Sequence, residues 1–165
     1  MRIINIHSRH INAPATQIWP LLLTLGSTND LVWPHEDWPR MKLDRPMQAG
    51  AVGGHGPIHY RVSICEPSQQ IRFEFIQGSV GFHEVILRDT ANGCLLTHTI
   101  DTRPELGFFF KWHFIIRFMH DAVIEDLFDK LQAHIEPLPK RSRWTAYVKL
   151  LRTLAGGSTQ SRLLA

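Results

Sequence analysis

Four short segments between residues 58 and 100 alternate apolar and polar side chains with a period of two. IHYRVSI (58–64) sets Ile58, Tyr60, Val62 and Ile64 against His59, Arg61 and Ser63, and IRFEF (71–75) sets Ile71, Phe73 and Phe75 against Arg72 and Glu74. HEVIL (83–87) and CLLTHTI (94–100) follow, joined by DTANG, which reads as a hairpin loop ending on a left-handed Gly93. Alternation of this kind predicts an antiparallel sheet with one wet face. A long helix follows from about 108 to 135. The class is therefore α+β.

Upstream, IINIHSRHI (3–11) reads as a strand with Ile4 and Ile6 on one face. NAPATQIWPLLLTLG (12–26) reads as a helix entry, with Pro14 in the first turn, an apolar stripe of Ile18, Leu21, Leu22 and Leu25, and Gly26 as the stop. Pro20 inside it predicts a kink or two short helices. Residues 27–57 lack periodicity and read as loop with at most short helix or strand.

The charge is unevenly placed. Residues 137–165 hold six bases and no acid, which leaves twelve bases against fifteen acids in the rest of the chain. The net charge of +3 is thus a property of the tail, and nucleic-acid binding by the body is not expected. The chain divides into residues 1–136 and a basic amphipathic extension, 137–165. In the extension Trp144, Tyr147, Val148, Leu151 and Leu154 fall at helical spacing, and GGSTQ (156–160) reads as a frayed end. Its basic amphipathic character permits weak membrane-surface contact through 140–154. Cys65 and Cys94 have no metal-ligand spacing and read as reduced thiols of a cytoplasmic protein. MRIINIHSRH lacks the apolar region of a signal peptide, and LGFFFKWHFIIRFM (106–119) is too short to span a bilayer and carries Lys111.

The order of strand, NAPATQIW helix entry, GAVGGHGPIHYRV, RFEF strand, GCLLTH strand and long helix resembles the START-related superfamily that includes the polyketide cyclase/dehydrase-like (SRPBCC) proteins. The resemblance covers about residues 3–136. It implies a helix-grip fold, in which a curved antiparallel sheet wraps the C-terminal helix and leaves an apolar cavity. Members bind lipids, sterols or polyketides, and some catalyse cyclisation or dehydration. They share no universal catalytic residue, so none is carried over.

Within that frame, the long helix turns about 100° per residue, and its apolar stripe centres on Ile116. Phe109, Val123, Leu127 and His134 share its stripe, with His113 and His120 inside the edge. Asp121 and Glu125 fall on the opposite side and read as solvated charge, Arg117 and Asp121 forming an i, i+4 pair. That split excludes a metal site built from His120, Asp121 and Glu125, and no metal or other cofactor is expected. On the sheet, the dry face takes His83 with Val85 and Leu87, and Leu96 with His98. Closing the hairpin at Arg88–Gly93 sets His83 opposite His98, and closing it at Asp89–Cys94 makes them diagonal neighbours. The expected lining is Tyr60, Val62, Phe73, Phe75, Val85 and Leu96 from the sheet and Phe109, Ile116 and Val123 from the helix. His83, His98, His113 and His120 are its polar anchors, held neutral by burial and mutual repulsion.

The GAVGGHGP stretch lacks GK[ST] and opens no helix, so it is not a nucleotide loop. It is either a tight connection or a cavity-mouth loop that places His55 over a ligand, with Trp33 and Trp38 at the other lip. No GxSxG motif is present and neither cysteine is marked as activated. The favoured function is binding or carriage of a small hydrophobic or aromatic ligand. A cyclase/dehydrase-type enzyme would use His83, His98 or His120 as general acid/base, and a third reading is a protein-interaction module. Phe114 and Phe118 fall on the outer side of the helix, where the tail stripe Trp144/Tyr147/Leu151 or a homodimer partner is expected to cover them.

Overall fold

A computed structural model describes residues 1–137 and 140–155; the GGSTQ segment lies outside the described residues. Seven strands form one curved antiparallel sheet in the order β1-β7-β6-β5-β4-β3-β2. They are β1 (Ile3–Ile11), β2 (Lys42–Leu43), β3 (Val52–His55), β4 (Ile58–Glu66), β5 (Gln70–Phe75), β6 (Ser79–Thr90) and β7 (Gly93–Pro104). The consecutive strands β3 to β7 build a meander, and β1 closes on the far edge beside β7, with His7 opposite His98 and Ile11 opposite Cys94.

The segment 27–57 contributes β2 and β3 to the near edge. The glycines of GAVGGHGP serve that pairing. A Cβ on Gly53 would lie 1.9 Å from the Lys42 carbonyl oxygen, and one on Gly54 would lie 1.9 Å from that of Ile58. Only backbone without side chains fits between these strands.

Helix α1 (Ala15–Leu22) is a single short helix that contains Pro20. Pro20 sits in its last turn, so the one bond it forfeits is that to the Thr16 carbonyl. The Asp89 carboxylate, at the β6–β7 hairpin, accepts from the Ala15 backbone N–H at 2.7 Å and ties the helix start to the sheet. The long helix runs as α2 (Leu106–Lys111), a π-helical turn (Trp112–Ile116) and α3 (Arg117–Ala133). A second helix, α4 (Ala146–Leu154), follows in the tail, with Thr145 accepting from the Val148 N–H as its N-cap.

The core lies between the inner face of the sheet and α1 and α3. Ile18, Leu22, Tyr60, Val62, Ile71, Phe73, Leu96, Phe128 and Leu131 are fully or almost fully buried there. Ile4 and Ile6 share a face, as expected; it is the exposed one, and the inward residues of β1 are Asn5, His7 and Arg9. Two other expectations fail for identifiable reasons. A bulge in β4 shifts the register after Val62, so Ile64 pairs with Arg72 on the outer side and Cys65 takes the inner place opposite Ile71. The π-helical turn advances each residue by less than an α-helical step, so one wheel does not run through the whole helix. Trp112 rather than His113 is buried, and His113 is exposed.

Candidate functional site

The inner faces of β6 and β7 and the first turn of α3 bring three imidazoles together. Asp89 pairs with Cys94, so Val85 stands opposite His98 and His83 opposite Ile100. This is the diagonal register, with the rings of His83 and His98 5.6 Å apart. His120 meets His98 at 5.2 Å. His83 stacks on Phe73 at 4.6 Å with the planes 7° apart, and Tyr60 and Phe75 close on its edges at 4.9 and 5.5 Å. His55 continues the run, 6.1 Å from Tyr60 and 4.7 Å from Trp33. Val62, Val85, Leu96 and Val123 belong to the surrounding core.

Other expected members lie elsewhere. Phe109 and Ile116 pack with Ile3, Ile100 and Trp112 in a separate small cluster. His113 lies against Phe109, its Nδ1 2.9 Å from the Phe109 carbonyl oxygen. His134 is exposed at the end of α3, 3.1 Å from the Leu31 carbonyl oxygen. Trp33 and Trp38 are buried in the core and form no lip.

Asp121 and Glu125 stay part-exposed but are paired rather than merely solvated. They face β1, which the sequence reading did not bring to the site. The His7 ring lies 3.1 Å from Asp121 and 2.8 Å from Glu125. Arg9 donates to Glu125 at 2.8 Å and Asp129 at 2.9 Å, and Asn5 donates to Asp121 at 3.0 Å. Alternate strand residues lie roughly 6.7 Å apart and i, i+4 helix residues about 6 Å, so Asn5, His7 and Arg9 keep step with Asp121, Glu125 and Asp129. That matched spacing was the signal available in the sequence. Arg117 instead stacks over the Phe118 ring.

Burial holds the inner imidazoles neutral. It lowers the His55 pKa to about 4, with repulsion from His120 adding to it. His83 and His98 are pushed well below their ordinary value by burial and then by neighbouring imidazoles, and His120 is lowered by burial too. His7 goes the other way. Burial opposes its charge, but hydrogen bonds to Asp121 and Glu125 outweigh that and lift its pKa to about 9. The ladder thus carries an imidazolium beside neutral imidazoles. Tyr60 Oη, His98 Nδ1 and His120 Nδ1 are buried and hydrogen-bond to no described residue. Each such group costs about 1–3 kcal/mol relative to a satisfied one.

No family model and no curated protein matches the chain. Solved structures do. Norcoclaurine synthase from Thalictrum flavum, in complex with dopamine and hydroxybenzaldehyde, superposes with a TM-score of 0.63 at 10% identity, over 87% of this chain and 90% of that one. CalU16 from Micromonospora echinospora gives 0.55 at 16% identity, over 94% of this chain and 83% of that one. An uncharacterized protein from Rhizobium leguminosarum gives 0.56 at 12% identity, over 82% and 95%. The fold is a helix-grip fold, a curved antiparallel sheet around a long C-terminal helix, as in these structures. At these identities the likeness speaks for architecture alone. No helix among the described residues is long and apolar enough to cross a membrane.

Proposed function

We propose that the chain binds a small, mainly apolar or aromatic ligand between sheet and helix, and that neutral imidazoles of His83, His98 and His120 hold its polar groups. The observation that carries this reading is the set of unpartnered polar atoms, Tyr60 Oη and His98 Nδ1, buried in an otherwise aromatic and aliphatic wall. Sparse polar groups in an apolar concavity are what a ligand site requires. Further support comes from His55, Phe75, His83 and His120, which are only partly buried although they point inward. In the same fold, norcoclaurine synthase is seen with dopamine and hydroxybenzaldehyde.

His98→Leu separates binding from folding. Removing an unpaired buried imidazole is expected to leave stability unchanged or raise it by about 1 kcal/mol, and to weaken the ligand by about five- to thirty-fold through one lost hydrogen bond. Displacement of 1-anilinonaphthalene-8-sulfonate by hydroxybenzaldehyde measures the second effect and urea denaturation the first. Unchanged displacement in the variant would remove His98 from the site.

A second reading is favoured by one arrangement. The neutral imidazole of His83 lies in ring contact with both the Tyr60 phenol and His98, which places a proton donor and an acceptor side by side. An enzyme of the cyclase/dehydrase type would use them as general acid and base on a polyketide-like substrate. In that case His83→Gln and His98→Gln abolish most turnover while leaving binding within about tenfold. A carrier shows only the modest loss of affinity.

The outer side of the tail supports a partner reading. Tyr147 covers Phe118 at 5.0 Å and donates to the Phe114 carbonyl, but the Phe114 side chain stays 65% exposed and Leu154 76%. The tail also exposes Lys140, Arg141, Arg143 and Lys149, and a tail with both exposed apolar and exposed basic side chains fits weak contact with an anionic membrane surface. Cosedimentation with anionic vesicles should be lost in Leu154→Asp; a dimer by analytical ultracentrifugation would assign the face to a second copy instead.

A further inference from the structure

We infer that His7, His120 and Asp121 form a binding site for a divalent transition-metal ion of the zinc type, with Glu125 orienting His7 from behind. His7 Nε2 lies 3.1 Å from Asp121 Oδ1, and His120 Nδ1 lies 3.9 Å from the same oxygen. All three ligand atoms fall within 4.8 Å of one another. A cation at the centre of that triangle lies roughly 2–2.5 Å from each atom, close to zinc–imidazole and zinc–carboxylate distances. The helix alone could not build this site, because Asp121 points to the seam with β1. The strand supplies the missing ligand.

Two observations set the cluster apart from an ordinary ion-pair ladder. The ladder needs His7 but not His120, yet His120 Nδ1 is buried at its end, with no hydrogen bond and with Asp121 beyond hydrogen-bond reach. A metal ion gives that lone pair a partner. The other ring nitrogen of His7, Nδ1, lies 2.8 Å from Glu125 Oε1, and Arg9 holds the second Glu125 oxygen at 2.8 Å. A carboxylate behind a histidine keeps the proton on Nδ1, the usual outer shell of a metal-bound imidazole, and the ion takes the Nε2 lone pair as the imidazolium releases its second proton to solvent. Two imidazoles and one carboxylate suit zinc, cobalt or nickel better than magnesium or calcium. Three protein ligands leave a coordination position open to water or another donor.

The metal site shares His120 with the proposed ligand site but needs neither Tyr60, His83 nor His98, so the cobalt titration and the His98→Leu binding assay fail separately. The test is a titration of chelator-stripped protein with cobalt(II), read in its visible absorption bands, followed by zinc displacement. One equivalent is expected to bind. In the wild-type chain, imidazole nitrogen NMR should show zinc moving the signals of His7 and His120. Asp121→Asn and His120→Gln should each weaken cobalt at least tenfold, and His59→Gln should leave it unchanged. Absence of stoichiometric binding, shifts confined to the exposed His10, His59, His113 and His134, or unaltered affinity in His120→Gln would each overturn the assignment.

Discussion

Asp126→Ala is expected to lower the free energy of unfolding by about 3–5 kcal/mol and to release the tail from α3. Asp126 is buried, and one of its carboxylate oxygens accepts two indole N–H groups, from Trp38 and Trp144, each at 2.8 Å. Those rings meet edge to face at 5.6 Å. The Arg152 guanidinium lies over both, at 4.7 and 4.4 Å from their centroids, and donates to the Asp37 carbonyl. One carboxylate therefore joins the 33–38 loop, the long helix and α4. Its removal strands two buried donors and takes negative charge away from a buried cation. Asp126→Asn keeps an acceptor and should lose only about 1–2 kcal/mol. Deleting residues 137–165 should destabilise in the same sense, because it uncovers Trp38 and Phe118. Urea denaturation followed by tryptophan fluorescence measures all three; an Asp126→Ala chain within 1 kcal/mol of the parent would refute this view of the tail.

Stability should peak at about pH 7 and fall on both sides, measured with a chelator present. His55, His83, His98 and His120 have folded pKa values below the ordinary histidine value. Below about pH 6.5 the unfolded chain binds protons that the native interior refuses. Their contribution is thus present above that pH and is lost as pH falls, with a slope approaching about 1.4 kcal/mol per pH unit for each group. His7 has the opposite sign. With a folded pKa near 9, its contribution is complete below about pH 6.5 and is lost as pH rises to 9. Because the ring is part-exposed, that loss amounts to about 1–3 kcal/mol. The acid limb, with four groups, should be much the steeper. His7→Gln should flatten the alkaline limb and leave the acid one. A stability curve level from pH 5 to 9 would show that these imidazoles are hydrated rather than enclosed.

Period-two alternation made the strands from Ile58 to Ile100 legible, because it records which side of the pleat is dry. Even the two hairpin registers were in view, and the Asp89–Cys94 pairing decided between them. The meeting of His83, His98 and His120 followed from that reading. Three features were hidden for physical reasons. The π-helical turn breaks the periodicity a wheel assumes, which sent His113 outward. The β4 bulge adds a residue that alternation cannot register, which exchanged Ile64 for Cys65. The polar inward face of β1 looks like an outer face by composition, since Asn5, His7 and Arg9 turn inward to meet Asp121, Glu125 and Asp129. Complementary rows on two distant elements share a spacing, but that spacing does not say which elements meet.

The central claim is that the interior between sheet and helix takes a small ligand. Native mass spectrometry of freshly purified protein, before and after incubation with hydroxybenzaldehyde and longer-chain phenols, addresses it most directly. The expected result is a one-to-one adduct that denaturation removes and His98→Leu weakens. Detection of the bare chain alone in every sample would contradict it.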